Sequence, residues 1–405
     1  MMEFPKGFLW GAATAAHQVE GNNSNSDWWE WERTSGLKEP SLEACRQYNL
    51  YRQDFDLARS LHHNAHRLSV EWARIEPRQG EFDEAEIAHY LDVIAALKER
   101  GITPLVTLHH FTNPIWFSRL GGWYHKKSPL YFSRYVEKIT TILAEKVDYW
   151  ITINEPLVYT YHSYILGVWP PQQKSLPAAM RVTGNLARAH IKAYRLIHSI
   201  YRKRNLPSPK IGIAKNTQAF IPCRPTLKNM VAVPLRDWWY NFRLIDKLHG
   251  EHSLDFIGIN YYSPSVVNAR SWWPASIALQ TCDIEHHGME KNSLGWYIYP
   301  EGFYDLLVRF KKYRLPIIVT ENGICTGDDA KRWDYIRGHL DALNRAIRAG
   351  ADVRGYLYWS LLDNFEWDKG FTPRFGLIEV DYRTFRRTVR DSAVKYGDVC
   401  LNNRL

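Results

Sequence analysis

Eight short apolar runs, at 8–13, 65–69, 104–109, 149–154, 210–216, 256–260, 316–321 and 355–360, alternate along the chain with longer amphipathic stretches. Runs of this length are strand-sized, and strands separated by helix-length crossovers pair in parallel, with the sheet covered by its own helices. Eight such units predict that the sheet closes on itself as an α/β fold, a (β/α)8 TIM barrel. The intervening stretches carry the matching signal. Residues 84–100 place Ile87, Leu91, Ile94 and Leu97 at three- and four-residue spacing before Gly101, and 331–349 repeat the pattern with Ile336, Leu340, Leu343 and Ile347 before Gly350. Each reads as an outer helix with one apolar stripe and a glycine stop. No low-complexity linker, charge block or internal repeat divides the 405 residues, so 1–405 is expected to form a single barrel domain.

The polar and aromatic residues with the most chemistry fall at or just after the expected strand ends: Gln18, Arg67, His109 and His110, Asn154 and Glu155, Asn260, Tyr261 and Tyr262, Glu321 and Asn322, and Trp359. In a barrel these ends converge on one face, the face that carries barrel active sites. Glu155 and Glu321, each behind an apolar strand, are thereby expected to face one another. A strand-end glutamate taken singly is more often a salt-bridge partner or a helix cap. Two in this setting suit glycosidic bond cleavage, where one carboxylic acid protonates the leaving oxygen and a second carboxylate attacks or stabilises the anomeric carbon. A separation of about 5–5.5 Å implies a nucleophile and retention, and one of about 6.5–9.5 Å admits a water and inverts. An ionised Glu321 would raise the pKa of Glu155 until it can act as an acid near neutrality, while Arg67 would hold Glu321 ionised.

Thr152-Ile153-Asn154-Glu155-Pro156 and Val319-Thr320-Glu321-Asn322-Gly323 closely resemble the acid/base motif T-x-N-E-P and the nucleophile motif [IV]-T-E-N-G of glycoside hydrolase family 1. The likeness runs from Phe8-Leu9-Trp10-Gly11-Ala12-Ala13-Thr14 through His17-Gln18-Val19-Glu20-Gly21 and Arg67-Leu68-Ser69 to Arg374-Phe375-Gly376-Leu377 and Asp381. It implies a retaining β-glycosidase with Glu155 as acid/base and Glu321 as nucleophile. It further implies that Gln18, His110, Asn154 and Glu366 bind sugar hydroxyls, with Trp359 beneath the ring and Trp367 near its upper hydroxyls. Tyr262 and Arg67 would contact Glu321, with Asn260 nearby. Glutamate rather than glutamine at 155 argues against the thioglucosidase branch, and Glu366 with no serine, lysine and tyrosine set after it argues for an unphosphorylated sugar. Two departures stand out. Phe111-Thr112-Asn113-Pro114 replaces the common W-D-x-P after His110, and the chain is short between Asn216 and Asp255, which predicts a more open aglycone side or an incomplete outer ring of helices. A non-catalytic glycan-binding barrel is the alternative, disfavoured by retention of the full residue set.

The remaining features exclude more than they assign. The net charge of +9 is scattered, and its densest stretch, 383–390, reads as a solvated face rather than a nucleic-acid patch. Five cysteines, far apart and without a C-x-x-C pair, suggest a reduced compartment. The expected protein is cytoplasmic, without a signal or membrane segment. No metal cluster or nucleotide motif is visible and the reaction needs no cofactor, so the partner is a small or oligomeric β-glycoside. Oligomeric state stays open, as do the preferred sugar and aglycone.

Overall fold

The computed structural model describes residues 2–282 and 289–405. Eight strands pair in parallel in sequence order around a closed ring: β1 (Leu9–Ala13), β2 (Ala65–Ser69), β3 (Thr103–Thr107), β4 (Tyr149–Asn154), β5 (Lys210–Thr217), β6 (Ile257–Tyr261), β7 (Ile317–Asn322) and β8 (Val353–Trp359). Closure is direct, because β1 is laddered to β2 on one side and to β8 on the other. Every second residue points inward, and Ala65, Leu105, Ile151, Ala214, Phe256, Ile318 and Leu357 fill the barrel as one buried cluster. The larger core lies outside the strands, under the helices.

A helix follows each strand: α1 (Gln47–Ser60), α2 (Glu84–Glu99), α3 (Ser128–Leu143), α4 (Leu176–Lys203), α5 (Arg243–Gly250), α6 (Pro300–Phe310), α7 (Asp329–Arg348) and α8 (Asp391–Asn402). The two helices read from periodicity are α2 and α7. Both begin at an aspartate whose carboxylate accepts from two first-turn amides, Asp83 for α2 and Asp328 for α7, the N-cap arrangement that satisfies otherwise orphaned donors. The ring of helices is complete at the short stretch between β5 and β6. There a helical run, Leu227–Asp237, passes through a widened turn at Trp238–Phe242 directly into α5, which buries Leu244, Ile245 and Leu248. Among the described residues no helix is long and apolar enough to cross a membrane.

Two expectations are corrected. Cys223 and Cys282 form a disulfide with Cα atoms 5.7 Å apart, 59 residues apart in sequence, against the reduced set inferred from their spacing. Proximity arises from a pair of short parallel strands, Phe220–Pro222 and Ser265–Val267, to which both cysteines are hydrogen-bonded through Val267 and Val266. The stretch 383–390 is a solvated face only in part: Arg383, Thr384, Arg386 and Thr388 are exposed, but two of its arginines turn inward. The Arg387 side chain is buried and forms a bidentate pair with buried Asp54, at 2.8 and 3.0 Å. Arg390 grips Asp363 at 2.7 and 3.1 Å. A charge run in sequence says nothing about partners contributed from hundreds of residues away.

Candidate active site

β4 ends at Asn154, and Glu155 leaves it in a left-handed conformation, φ +42°, before Pro156 opens a short helix. A side-chain-bearing residue pays for positive φ, whereas proline at the first helical position loses no hydrogen bond. The turn throws the Glu155 carboxyl, 6% exposed, over the barrel mouth. Glu321 stays within β7, and Asn322 and Gly323 follow it. Gly323 has no tolerance for a side chain, since a Cβ there would lie 1.9 Å from the Trp359 carbonyl oxygen. The glycine lets the end of β7 close against the end of β8.

One hydrogen-bonded chain joins the two carboxyls. Arg67, fully buried on β2, ion-pairs with Glu321 Oε1 through Nη1. Its Nη2 donates to Asn154 Oδ1 at 2.7 Å and its Nε to Thr107 Oγ1 at 3.0 Å. Tyr262 donates its hydroxyl to the other Glu321 oxygen at 2.5 Å. Across the mouth, Asn260 Nδ2 lies 2.7 Å from Glu155 Oε1 and 3.2 Å from Asn154 Oδ1, and Asn216 Nδ2 adds a second donor to Glu155 Oε1 at 3.2 Å. Asn260 thus serves Glu155 rather than Glu321.

The two carboxyls sit in opposed electrostatic settings. Glu321 has a guanidinium and a phenol in contact. Glu155 has only amide donors, and burial, with the charge of Glu321 as the second cause, pushes its pKa up to about 7. Repulsion by Glu321 was the expected cause, and desolvation proves the larger one. Glu366 is raised further, to about 8, by burial and then by the charges of Glu321, Asp368 and Glu155.

The expected sugar-binding residues surround the pair. Gln18 donates to Asn364 Oδ1 at 3.0 Å, to the Phe365 carbonyl at 2.8 Å and to Glu366 Oε2 at 3.4 Å, which leaves Gln18 Oε1 buried without a partner. His110 Nε2 lies 3.2 Å from Asn154 Nδ2. Burial and the nearby Arg67 hold the imidazole well below its usual pKa, so the neutral ring accepts there and its Nδ1–H is buried and unpartnered. The His110 ring is stacked near-parallel with Trp359 at 5.9 Å and with Trp367 at 6.1 Å. Phe111, in place of the usual tryptophan, packs 5.2 Å from both Trp169 and Trp367.

All eleven expected residues therefore meet at one end of the barrel. His109 and Tyr261 do not join them, because alternation turns them to the outer face. His109 bonds Trp123 and Asn113, and Tyr261 donates to the Tyr299 carbonyl. Thr107, Asn216, Asn364 and Tyr240, whose hydroxyl lies 2.5 Å from Asn216 Oδ1, are additions. Asn216 shares the strand-end position of Asn154 and Asn260, a signal that pointed to it. Among the described residues no group of three or more histidine, cysteine or acidic side chains could hold a metal ion.

A parallel eight-stranded barrel with two buried carboxyls ringed by amide, imidazole and indole side chains at one end is the architecture of a class of carbohydrate-active barrels, and comparison places the chain within it. The model of glycosyl hydrolase family 1 matches residues 1–251 and 236–405. Beta-glucosidase A of Thermotoga maritima is 32% identical, covering 100% of this chain and 99% of that protein, in an alignment spanning 450 positions against 405 residues here. A beta-galactosidase of Saccharolobus solfataricus is 31% identical over 100% of this chain and 96% of its own length. Among solved structures, a beta-glycosidase from Pyrococcus horikoshii superposes with a TM-score of 0.94 at 39% identity, covering 100% of this chain and 96% of that one. The chain belongs to glycosyl hydrolase family 1.

Proposed function

We propose that the protein hydrolyses terminal, unphosphorylated β-D-glycosides by double displacement, with Glu155 as general acid/base and Glu321 as nucleophile. The observation that carries this reading is the electrostatic split between two neighbouring carboxyls, one ion-paired and the other held protonated to about pH 7, the division of labour that retaining chemistry requires. In the first step Glu321 Oε attacks the anomeric carbon, the exocyclic C–O bond breaks, and the Glu155 proton passes to the leaving oxygen. The glycosyl ester removes the Glu321 charge, so Glu155 becomes more acidic and takes a proton from water as that water displaces the ester. Gln18 and Glu366, side by side, suit one pair of adjacent hydroxyls, and Asn154 and His110, 3.2 Å apart, suit another, with Asn154 serving the 2-hydroxyl. Trp359 offers its face to the C–H side of the ring. A β-glucoside is the preferred substrate, with β-galactosides and β-fucosides as side activities. One relative, from T. maritima, is a beta-glucosidase that has been solved in complex with glucoimidazole, and another is a beta-galactosidase, which supports the glucoside and galactoside parts of that range.

Azide distinguishes the two carboxyls. Glu321→Gly with azide should yield the α-glycosyl azide and Glu155→Ala the β-azide. The reverse pairing would exchange the roles. Equal background rates for wild type and Glu321→Ala on a panel of aryl β-glycosides would end the hydrolase reading.

A further inference from the structure

The buried lysine of β5 is unused by the chemistry above. Lys215 is 0% exposed, and among the described residues no carboxylate lies within ion-pair distance. An unpaired ammonium in such a place costs several kcal/mol unless something compensates it. Its Nζ donates to the Asn216 backbone carbonyl and sits 4.1 Å from the centre of the Tyr240 ring. Tyr240 in turn reaches Asn216 Oδ1 at 2.5 Å, and Asn216 Nδ2 reaches Glu155 Oε1 at 3.2 Å. Tyr240 lies in the widened turn at Trp238–Phe242, the type of helix irregularity that recurs at functional sites because it re-aims a side chain.

Resting on the role proposed for Glu155, we propose that Lys215 and Tyr240 are positioning residues that act through Asn216 to favour the ionised form of Glu155, and so assist the water-attack step in particular. The direction of each hydrogen bond supports this. With the phenol donating to Oδ1, the Asn216 amide can only present Nδ2 to Glu155, a donor that favours a carboxylate over a carboxylic acid. A cation over the phenol ring polarises its O–H and strengthens the chain. Burial pushes Lys215 down to about 7 and the Glu155 charge pulls it back, so the two groups favour each other's charged forms. The ionisable groups facing Glu155 are Glu321 from β7, Arg67 from β2, Tyr262 beyond β6, Glu366 beyond β8, and Lys215 and Tyr240 themselves. Of the two cations, Arg67 is already engaged by Glu321. The end of β5, through Lys215 and Asn216, and the helical stretch that follows it, through Tyr240, therefore support Glu155 together.

The test separates the two chemical steps. Lys215→Met, Tyr240→Phe and the double variant are assayed with 2,4-dinitrophenyl β-D-glucoside, whose leaving group needs no proton and whose kcat reports water attack, and with phenyl β-D-glucoside. Expected are a fall of about 5–20-fold in kcat on the dinitrophenyl substrate, with kcat/KM within about twofold, and a double variant no worse than the poorer single one. Azide, which attacks without a base, should restore kcat. With phenyl glucoside, loss of the cation should move the alkaline limb of kcat/KM upward by about half a pH unit. Equal losses in kcat and kcat/KM, no azide rescue and an unmoved limb would overturn the relay. Should Lys215→Met not fold, Tyr240→Phe and Asn216→Ser carry the same test. A wild type inactive on every aryl glycoside would instead sink the hydrolase reading, whereas an active wild type with unaffected variants would sink only this inference.

Discussion

Replacing Glu155 by glutamine should make the protein more stable while disabling it, and the gain should depend on pH. A glutamate in the unfolded chain ionises near 4.5, whereas folded Glu155 keeps its proton to about 7. Below pH 4 both states hold the proton and burial of the carboxyl carries no ionisation cost. Between 4.5 and 7 the unfolded chain releases a proton that the folded one retains, so stability is lost as pH rises. Above 7 the loss levels off at roughly 3 kcal/mol, from about 2.5 pH units at 1.36 kcal/mol each. Glutamine does not titrate, and its carbonyl can still accept from Asn260 and Asn216. For 405 residues at about 2.1 cal/mol/K each, an unfolding entropy near 0.85 kcal/mol/K converts this into about 3–4 °C. Differential scanning fluorimetry of both proteins across pH 4–8 should show the Glu155→Gln Tm advantage at pH 8 shrinking to below 1 °C at pH 4. A constant offset would mean that packing, rather than ionisation, separates the two side chains, and a destabilised variant at pH 8 would refute the argument outright.

Three further outcomes follow from the same geometry. Wild-type kcat/KM on phenyl β-D-glucoside should fall above about pH 7 as Glu155 loses its proton, and a pH–rate profile flat to pH 9 would contradict it. Tyr262→Phe, which removes the 2.5 Å bond to Glu321, should lower kcat/KM about 10–100-fold, the equivalent of a charge-assisted hydrogen bond of about 1.5–3 kcal/mol; an unchanged value would show the phenol to be a bystander. Arg387→Met leaves buried Asp54 unpaired and should cost about 3–5 kcal/mol in chemical denaturation, most of it recovered in the Asp54→Leu/Arg387→Met double variant; equal stability of the single variant would show the pair to be dispensable.

The strands, the helices and the identity of the two carboxyls were readable along the chain because each depends on neighbours within a few residues. Side chains alternate every second residue in a strand and recur every three to four in a helix, and a capping aspartate or stopping glycine acts on its own turn. Strand parity also separates His110 from His109 and Tyr262 from Tyr261, although it does not say which parity faces the site. Which groups touch across the barrel was decided elsewhere. Asn260 bonds Glu155 because β5 alone lies between β4 and β6, so the ends of those two strands meet over it, and Arg67 reaches Glu321 across 254 residues because both project into the same mouth. The Cys223–Cys282 bridge, the Arg387–Asp54 pair and the Lys215–Tyr240–Asn216 chain share that origin. Their partners are set by ring closure and by how a helix lies against a strand, and so is the desolvation that lifts Glu155: a glutamate's proton affinity depends on what surrounds it in space, which local sequence does not encode.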